Sequence, residues 1–167
     1  MNKTIKLVEK WSIDRGIDKA EPKKQLLKLY EEYGELCAGI AKENIDLIKD
    51  SIGDMLVVMT ILCQQLKLDM EHVVATKHDM LEERIKELET VEIALYCANI
   101  LDSFQKHEGR NYKTQDLTDL LFILRLLAIR YGSTVEECYE LAYDEIKGRT
   151  GQMVNGVFVK TSDLKNE

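Results

Sequence analysis

Apolar residues recur at three- and four-residue spacing along nearly the whole of this chain, and alternating strand patterns are almost missing. A stripe with that period can be hidden from water only by a helix, so it constrains the fold more than any other feature. One proline and nine glycines in 167 residues leave few interruptions, which favours long helices. The spacing predicts a first helix over Thr4 to about Asp14, ending near Gly16. Pro22 suits the opening turn of a second, running to about Lys42, with Leu26, Leu29, Leu36 and Ile40 on one stripe. A third spans about Ile45 to Leu66. Asp69 is placed to cap a fourth, with Val73, Val74 and Met80 on its apolar side. Further helices fit Val91 to Lys106 and Thr114 to Tyr131, with EGRNY as the turn between them. Ser133 with Glu136 reads as a capping box for a last helix ending near Lys147.

Beyond that helix, MVNGVFV sets Asn155-Gly156 between apolar residues, the pattern of a tight two-residue hairpin. The expected fold is an all-α helical bundle, one domain over residues 1–167, with a short C-terminal β-hairpin in a tail from 151 to 167. The segment from Asp54 (DMLVVMTILC) and the segment from Asp119 (DLLFILRLLA) run alike at a constant offset of 65 residues. One reading is an internally duplicated helical hairpin, with a half at about 1–69 and a degenerate repeat at about 70–150. The other is that any two helix-turn-helix stretches look similar.

Composition narrows the function classes. The formal net charge is −7 and no basic stripe stands out, so a nucleic-acid duplex is not an expected partner. The N-terminal MNKTIKLVEKW lacks the apolar core of a signal peptide. The longest apolar stretch, Met55 to Cys63, is too short to span a bilayer. No membrane partner and a cytoplasmic location are expected. Cys37, Cys63, Cys97 and Cys138 form no CxxC pair and read as reduced core residues. His72, His78 and His107 supply no Glu-x-x-His at ligand spacing, which argues against a di-iron bundle. Nucleophile-elbow, P-loop and dinucleotide-binding motifs are lacking.

Acids inside helical segments are the residue pattern that asks for a function. Glu31 and Glu32 each share a helix face with Glu35, and Asp50 and Asp54 form a matching pair on the next helix. A short link between the two helices would bring both pairs together. Four carboxylates that close repel and raise one another's pKa unless a cation sits among them. All-oxygen ligands suit a hard ion such as Mg²⁺, with Mn²⁺ as a substitute. The plainer alternative is a set of surface acids paired with Lys23, Lys24 or Lys49. Gly34 and Gly53, each just before an acid, either let helices approach closely or leave room for a ligand.

QLLKLYEEYGEL (25–36) followed by DSIGDM (50–55) resembles the EExxE and ExxD motifs of the MazG-like all-α nucleoside triphosphate pyrophosphohydrolases. The ending ELAYDEIKGRTGQMVNGVFVK is similar to the tail of short members of that family. Residues of about 5–70 and 133–164 carry the likeness, and the segment between them does not. The resemblance implies Mg²⁺-dependent cleavage of a nucleoside triphosphate to the monophosphate and pyrophosphate, a house-cleaning role in nucleotide pools, and assembly as a homodimer or homotetramer. It departs at Ser51, where the glutamate of ExxD is expected; Asp50, one residue earlier, can share the face of Asp54 with a shorter arm.

On that reading Glu32, Glu35, Asp50 and Asp54 hold the metal, and Glu31 either ligates or takes a proton from the attacking water. Lys28, Lys147 and Arg149 are candidate phosphate clamps, each with plain solvation as the alternative. Asn155 is a candidate for a base or sugar contact, although a hairpin turn explains it equally. Trp11 either stacks on a base or belongs to the core. The rival function is a helical nucleotide-binding or regulatory module without turnover.

Overall fold

The computed structural model describes residues 1–76, 85 and 87–166. Helix α1 (Asn2–Asp14) buries Ile5, Val8 and Trp11 and stops at Gly16, whose φ of +70° turns the chain into a 3₁₀ turn at Ile17–Lys19. Helix α2 (Pro22–Ala41) begins with proline at its first position, where the missing N–H costs nothing. Helix α3 (Ile45–Leu66) is capped by Asn44, whose side chain accepts from the Leu47 N–H. Asp69 caps helix α4 (Met70–Ala75) by accepting from the N–H groups of Glu71 and His72. The expected contribution of Met80 to α4 falls outside the described residues.

Helix α3 is the axis of the molecule. Every residue from 55 to 63 is buried, the mark of a helix surrounded on all sides. Helices α1, α2 and α4 pack on it, as do α6 (Arg110–Arg130) and α7 (Val135–Ile146). Helix α5 (Thr90–Lys106) pairs with α6 and reaches α2, where the Tyr33 hydroxyl donates to the Ala94 carbonyl at 3.0 Å. Strands β1 (Gly151–Val154) and β2 (Val157–Lys160) form an antiparallel hairpin in which Gly151 faces Lys160 and Val154 faces Val157. Asn155 at φ +51° and Gly156 at φ +79° make the tight turn that the pair signalled.

Two expected boundaries are corrected. Helix α6 starts at Arg110 and not at Thr114, because Gly109 is the one breaker in EGRNY; the Lys113 N–H already bonds to the Gly109 carbonyl at 3.1 Å. The cap of α7 is Thr134 with Glu137, one residue beyond the expected Ser133 and Glu136. Both pairs fit the same spacing, and the Ser133 hydroxyl instead donates to the Glu137 carboxylate at 2.9 Å.

Gly53 sets how closely α3 and α7 approach. A Cβ there would lie 2.3 Å from the Cys138 carbonyl oxygen, backbone against backbone. Gly53→Ala is therefore expected to destabilise the fold by about 1–3 kcal/mol despite alanine's better helix propensity. Urea denaturation of the two proteins would read that loss; an unchanged or raised midpoint would show that the helices can part without penalty.

Candidate active site

Residues 42–44 link α2 to α3, and Glu43 adopts φ +53° to close the turn. So short a link makes the helices antiparallel and brings a turn of each to one cleft of about 510 Å³. Glu31, Glu32 and Glu35 from α2 and Asp54 from α3 line this cleft, with Lys28 one turn before Glu32. The C-terminal hairpin folds back to form the rest of its wall.

Glu32 is only 3% exposed, so its carboxylate has lost most of its water. Lys28 Nζ answers it at 2.7 Å and also bonds to Glu31 at 2.9 Å. Burial still wins and raises the Glu32 pKa, with the charges of Glu35 and Glu31 adding to it and Lys28 opposing. Burial pulls on Lys28 in the other sense, but its bonds to Glu32 and Glu31 outweigh that and raise its pKa. Asp54 is pushed up to about 7, first by burial and then by the charges of Glu32 and Asp50, against Arg149 and Lys28. Glu35 and Glu31 are exposed at the cleft.

Asp50 stands apart. It lines a neighbouring shallow groove with Asp46, Lys49, Leu141 and Glu145. Burial, Glu145 and Glu32 raise its pKa while Arg149 opposes, so it shares the field of the cleft without lining it. Ser51 is fully buried and donates to the Leu47 carbonyl at 2.7 Å. A glutamate at that position would have to sit in packed interior. Of the two glycines, Gly53 serves helix approach, whereas Gly34 has open space around it.

Among the candidate phosphate ligands, Lys28 and Arg149 line the cleft, and Lys147 does not; it is exposed and paired with Asp144 at 2.7 Å. Asn155 supplies a turn, and its carbonyl accepts from Lys24 Nζ. Trp11 is core by burial yet also lines the cleft. Lys24, Gln25, Phe158 and Lys160 line it as well, and none of them was an expected site residue. They meet only because the hairpin returns to α2 from more than a hundred positions away.

Three acids of the second half, Glu92, Asp116 and Asp119, are engaged locally. Glu92 accepts from the Glu89 N–H and so closes the start of α5. Asp116 is buried between the Ser103 hydroxyl at 3.0 Å and His107 Nδ1 at 2.6 Å. Asp119 accepts from the Gln115 amide.

Among the described residues, no three acid, thiol or imidazole groups converge at metal-ligating spacing. The donor chemistry nevertheless fits a hard cation. Glu32, Asp50 and Asp54 offer only oxygen donors, burial raises the pKa of each, the Glu32 charge adds to the rise at Asp50 and Asp54, and an ammonium group already bridges Glu31 and Glu32. Comparison with known proteins finds a match in the first half of the chain. Residues 20–88 match the MazG nucleotide pyrophosphohydrolase domain. The MazG segment contains α2, α3 and α4, and with them every acid of the cleft except Asp163 in the tail. A 70-residue stretch is 50% identical to the "Uncharacterized 18.2 kDa protein in rep-hol intergenic region" of Haemophilus phage HP1 (strain HP1c1), covering 41% of this chain and 43% of that one. The chain thus aligns with under half the length of the curated relative it matches. No solved structure matches it.

The raised Asp54 carboxyl has a consequence for the metal-free protein. A folded value of about 7, against about 4 in the unfolded chain, means that the folded state holds a proton the unfolded state has released. Its stabilisation is full below pH 4 and is lost as pH rises through 7. With a chelator present, the urea midpoint should fall between about pH 4 and pH 7, and Asp54→Asn should flatten that fall. Parallel profiles for the two proteins would remove Asp54 as its source.

Proposed function

We propose that the protein is a Mg²⁺-dependent nucleoside triphosphate pyrophosphohydrolase, converting (d)NTP to (d)NMP and pyrophosphate. One observation carries the reading: Glu31, Glu32, Glu35 and Asp54 line a single cleft with Lys28 and Arg149, within and beside the MazG segment. Glu32, Glu35, Asp50 and Asp54 are the residues proposed to hold the metal, with Mn²⁺ as a substitute. A bound Mg²⁺ would supply neutralisation of triphosphate charge and a more acidic water. Lys28 and Arg149 would bind the phosphates. Glu31, exposed and bonded to Lys28 alone among the cleft's cations, would then accept the proton of the attacking water at its carboxylate. The half around α5 and α6 is proposed to complete the bundle without a metal of its own, in a homodimer or homotetramer. A role in clearing unwanted nucleotides follows from the same chemistry.

A second reading has its own support. Lys28 closes on Glu31 and Glu32, and Asp50 lines the neighbouring groove. A cleft held in that state would bind nucleotides without turnover and serve as a regulatory module.

Incubation with Mg²⁺ and a panel of NTPs and dNTPs should release pyrophosphate. Orthophosphate as the sole product would refute the proposed bond cleavage, and silence across the panel would select the binding module. Glu35→Gln and Asp54→Asn should each lower turnover by a hundredfold or more, about 2.7 kcal/mol in barrier, while far-UV circular dichroism stays unchanged. Near-native activity in either variant would remove that residue from the metal site.

A further inference from the structure

Besides the acids and their cations, the cleft is lined by residues that the hydrolysis chemistry leaves without a task. Among them are the apolar and aromatic Trp11, Ile17 and Ile61 from the first half of the chain, with Val157 and Phe158 from β2. Trp11 is fixed there, since its Nε1 donates to the Ile146 carbonyl at 2.8 Å. The Arg15 guanidinium lies over its ring at 4.5 Å, and Phe158 meets it edge-on with centroids 5.7 Å apart. The hairpin is tied down at both ends. Arg15 donates to the Arg149 carbonyl at 2.7 Å just before β1, and Lys24 donates to the Asn155 carbonyl at the turn. Lys24 and Lys160 also line the cleft and bring positive charge to its hairpin side. An apolar, aromatic recess beside a set of cations matches a planar heterocycle carrying phosphates.

We infer that the C-terminal hairpin is the wall that holds the nucleobase, with Phe158 and Val157 as its contact residues and Lys24 and Lys160 directing the phosphates toward the acids. The inference rests on reading the cleft as a nucleotide site. It goes beyond that reading in giving the tail, which lies outside the MazG segment, a share in substrate selection. Apolar contact accepts any planar base, so Phe158 distinguishes a nucleotide from a phosphate without a base. Gln25 is the residue placed to read a base edge. It lines the cleft, and its Nε2 lies 3.5 Å from the Val58 carbonyl, too far for that bond to hold the amide firmly.

The chain has one tryptophan, so its fluorescence reports on this recess. The protein of residues 1–167, free of divalent metal, is titrated with AMP, CMP, GMP and UMP, with ribose 5-phosphate as the base-free control. Saturable changes in Trp11 emission are expected for the nucleotides, with ribose 5-phosphate at least tenfold weaker. Phe158→Ala should weaken nucleotide binding at least tenfold and leave calorimetric binding of inorganic tripolyphosphate within twofold. Val157 is half exposed, so Val157→Ser tests the same wall without a fold penalty and should cost about threefold. No response to any nucleotide, equal binding of ribose 5-phosphate, or nucleotide affinity unchanged in both variants would overturn the proposal. So would a parallel loss of tripolyphosphate binding. Base-dependent binding without pyrophosphate release would sink the hydrolase and keep the wall. Pyrophosphate release indifferent to both variants would do the reverse.

Discussion

Glu32 and Asp54 face a shared cleft from neighbouring antiparallel helices, largely out of water, with the same charge sign and only cations of the protein itself to relieve them. Holding two carboxylates in that state costs free energy, and the fold around them is arranged to bear it. The compensation comes from α3, whose residues 55–63 are all buried. Each large aliphatic side chain removed from water contributes about 1.5–3 kcal/mol. A helix so completely enclosed tolerates a charged residue at its edge that a surface helix could not hold in place. Lys28 and Arg149 oppose the shift without cancelling it, and burial, followed by the charges of Glu32 and Asp50, leaves the Asp54 pKa raised.

Arg15 connects that electrostatic centre to the tail. Its guanidinium covers Trp11, lies 6.0 Å from the Phe158 ring centre and donates to the Arg149 carbonyl. One side chain thereby ties α1, the end of the helical bundle and the hairpin to one another. Arg149 is held through its backbone, and its guanidinium, paired with Glu145 at 3.5 Å, also lowers the pKa of Asp50 and Asp54. Such division between a carbonyl used for anchoring and a side chain used for charge is how a residue outside the acid motif enters its field.

The helices were legible in the sequence because one physical signal, apolar spacing, determines them. Ile45 to Leu66 emerges with the expected bounds, and the Asn155-Gly156 turn follows from its need for positive φ. The misplaced starts of α6 and α7 come from weaker, local competitions: one glycine against its helix-tolerant neighbours, and two overlapping capping boxes. The EExxE acids and Asp54 were legible as a group because helical periodicity fixes which positions share a face. Asp50 was not fully so, since a position can share a helix face and still line a different groove. Lys24, Gln25, Phe158 and Lys160 were illegible for a further reason. Their meeting depends on where a hairpin docks, and no short-range pattern encodes that.

The second helical hairpin shows what turns such acids into ordinary structure. Glu92 lies in the first turn of α5, where a carboxylate satisfies an unpaired backbone N–H and the helix dipole favours it. Asp116 is as buried as an active-site acid, but Ser103 and His107 meet both of its oxygens. It has no unmet demand for a cation, and burial alone is therefore a poor sign of function. In the first half the acids crowd one another and the nearest ammonium group must divide itself between Glu31 and Glu32. The two halves carry similar residues on similar helices. They differ in whether each carboxylate has its own partner, and the acids that share one lie between α2 and α3.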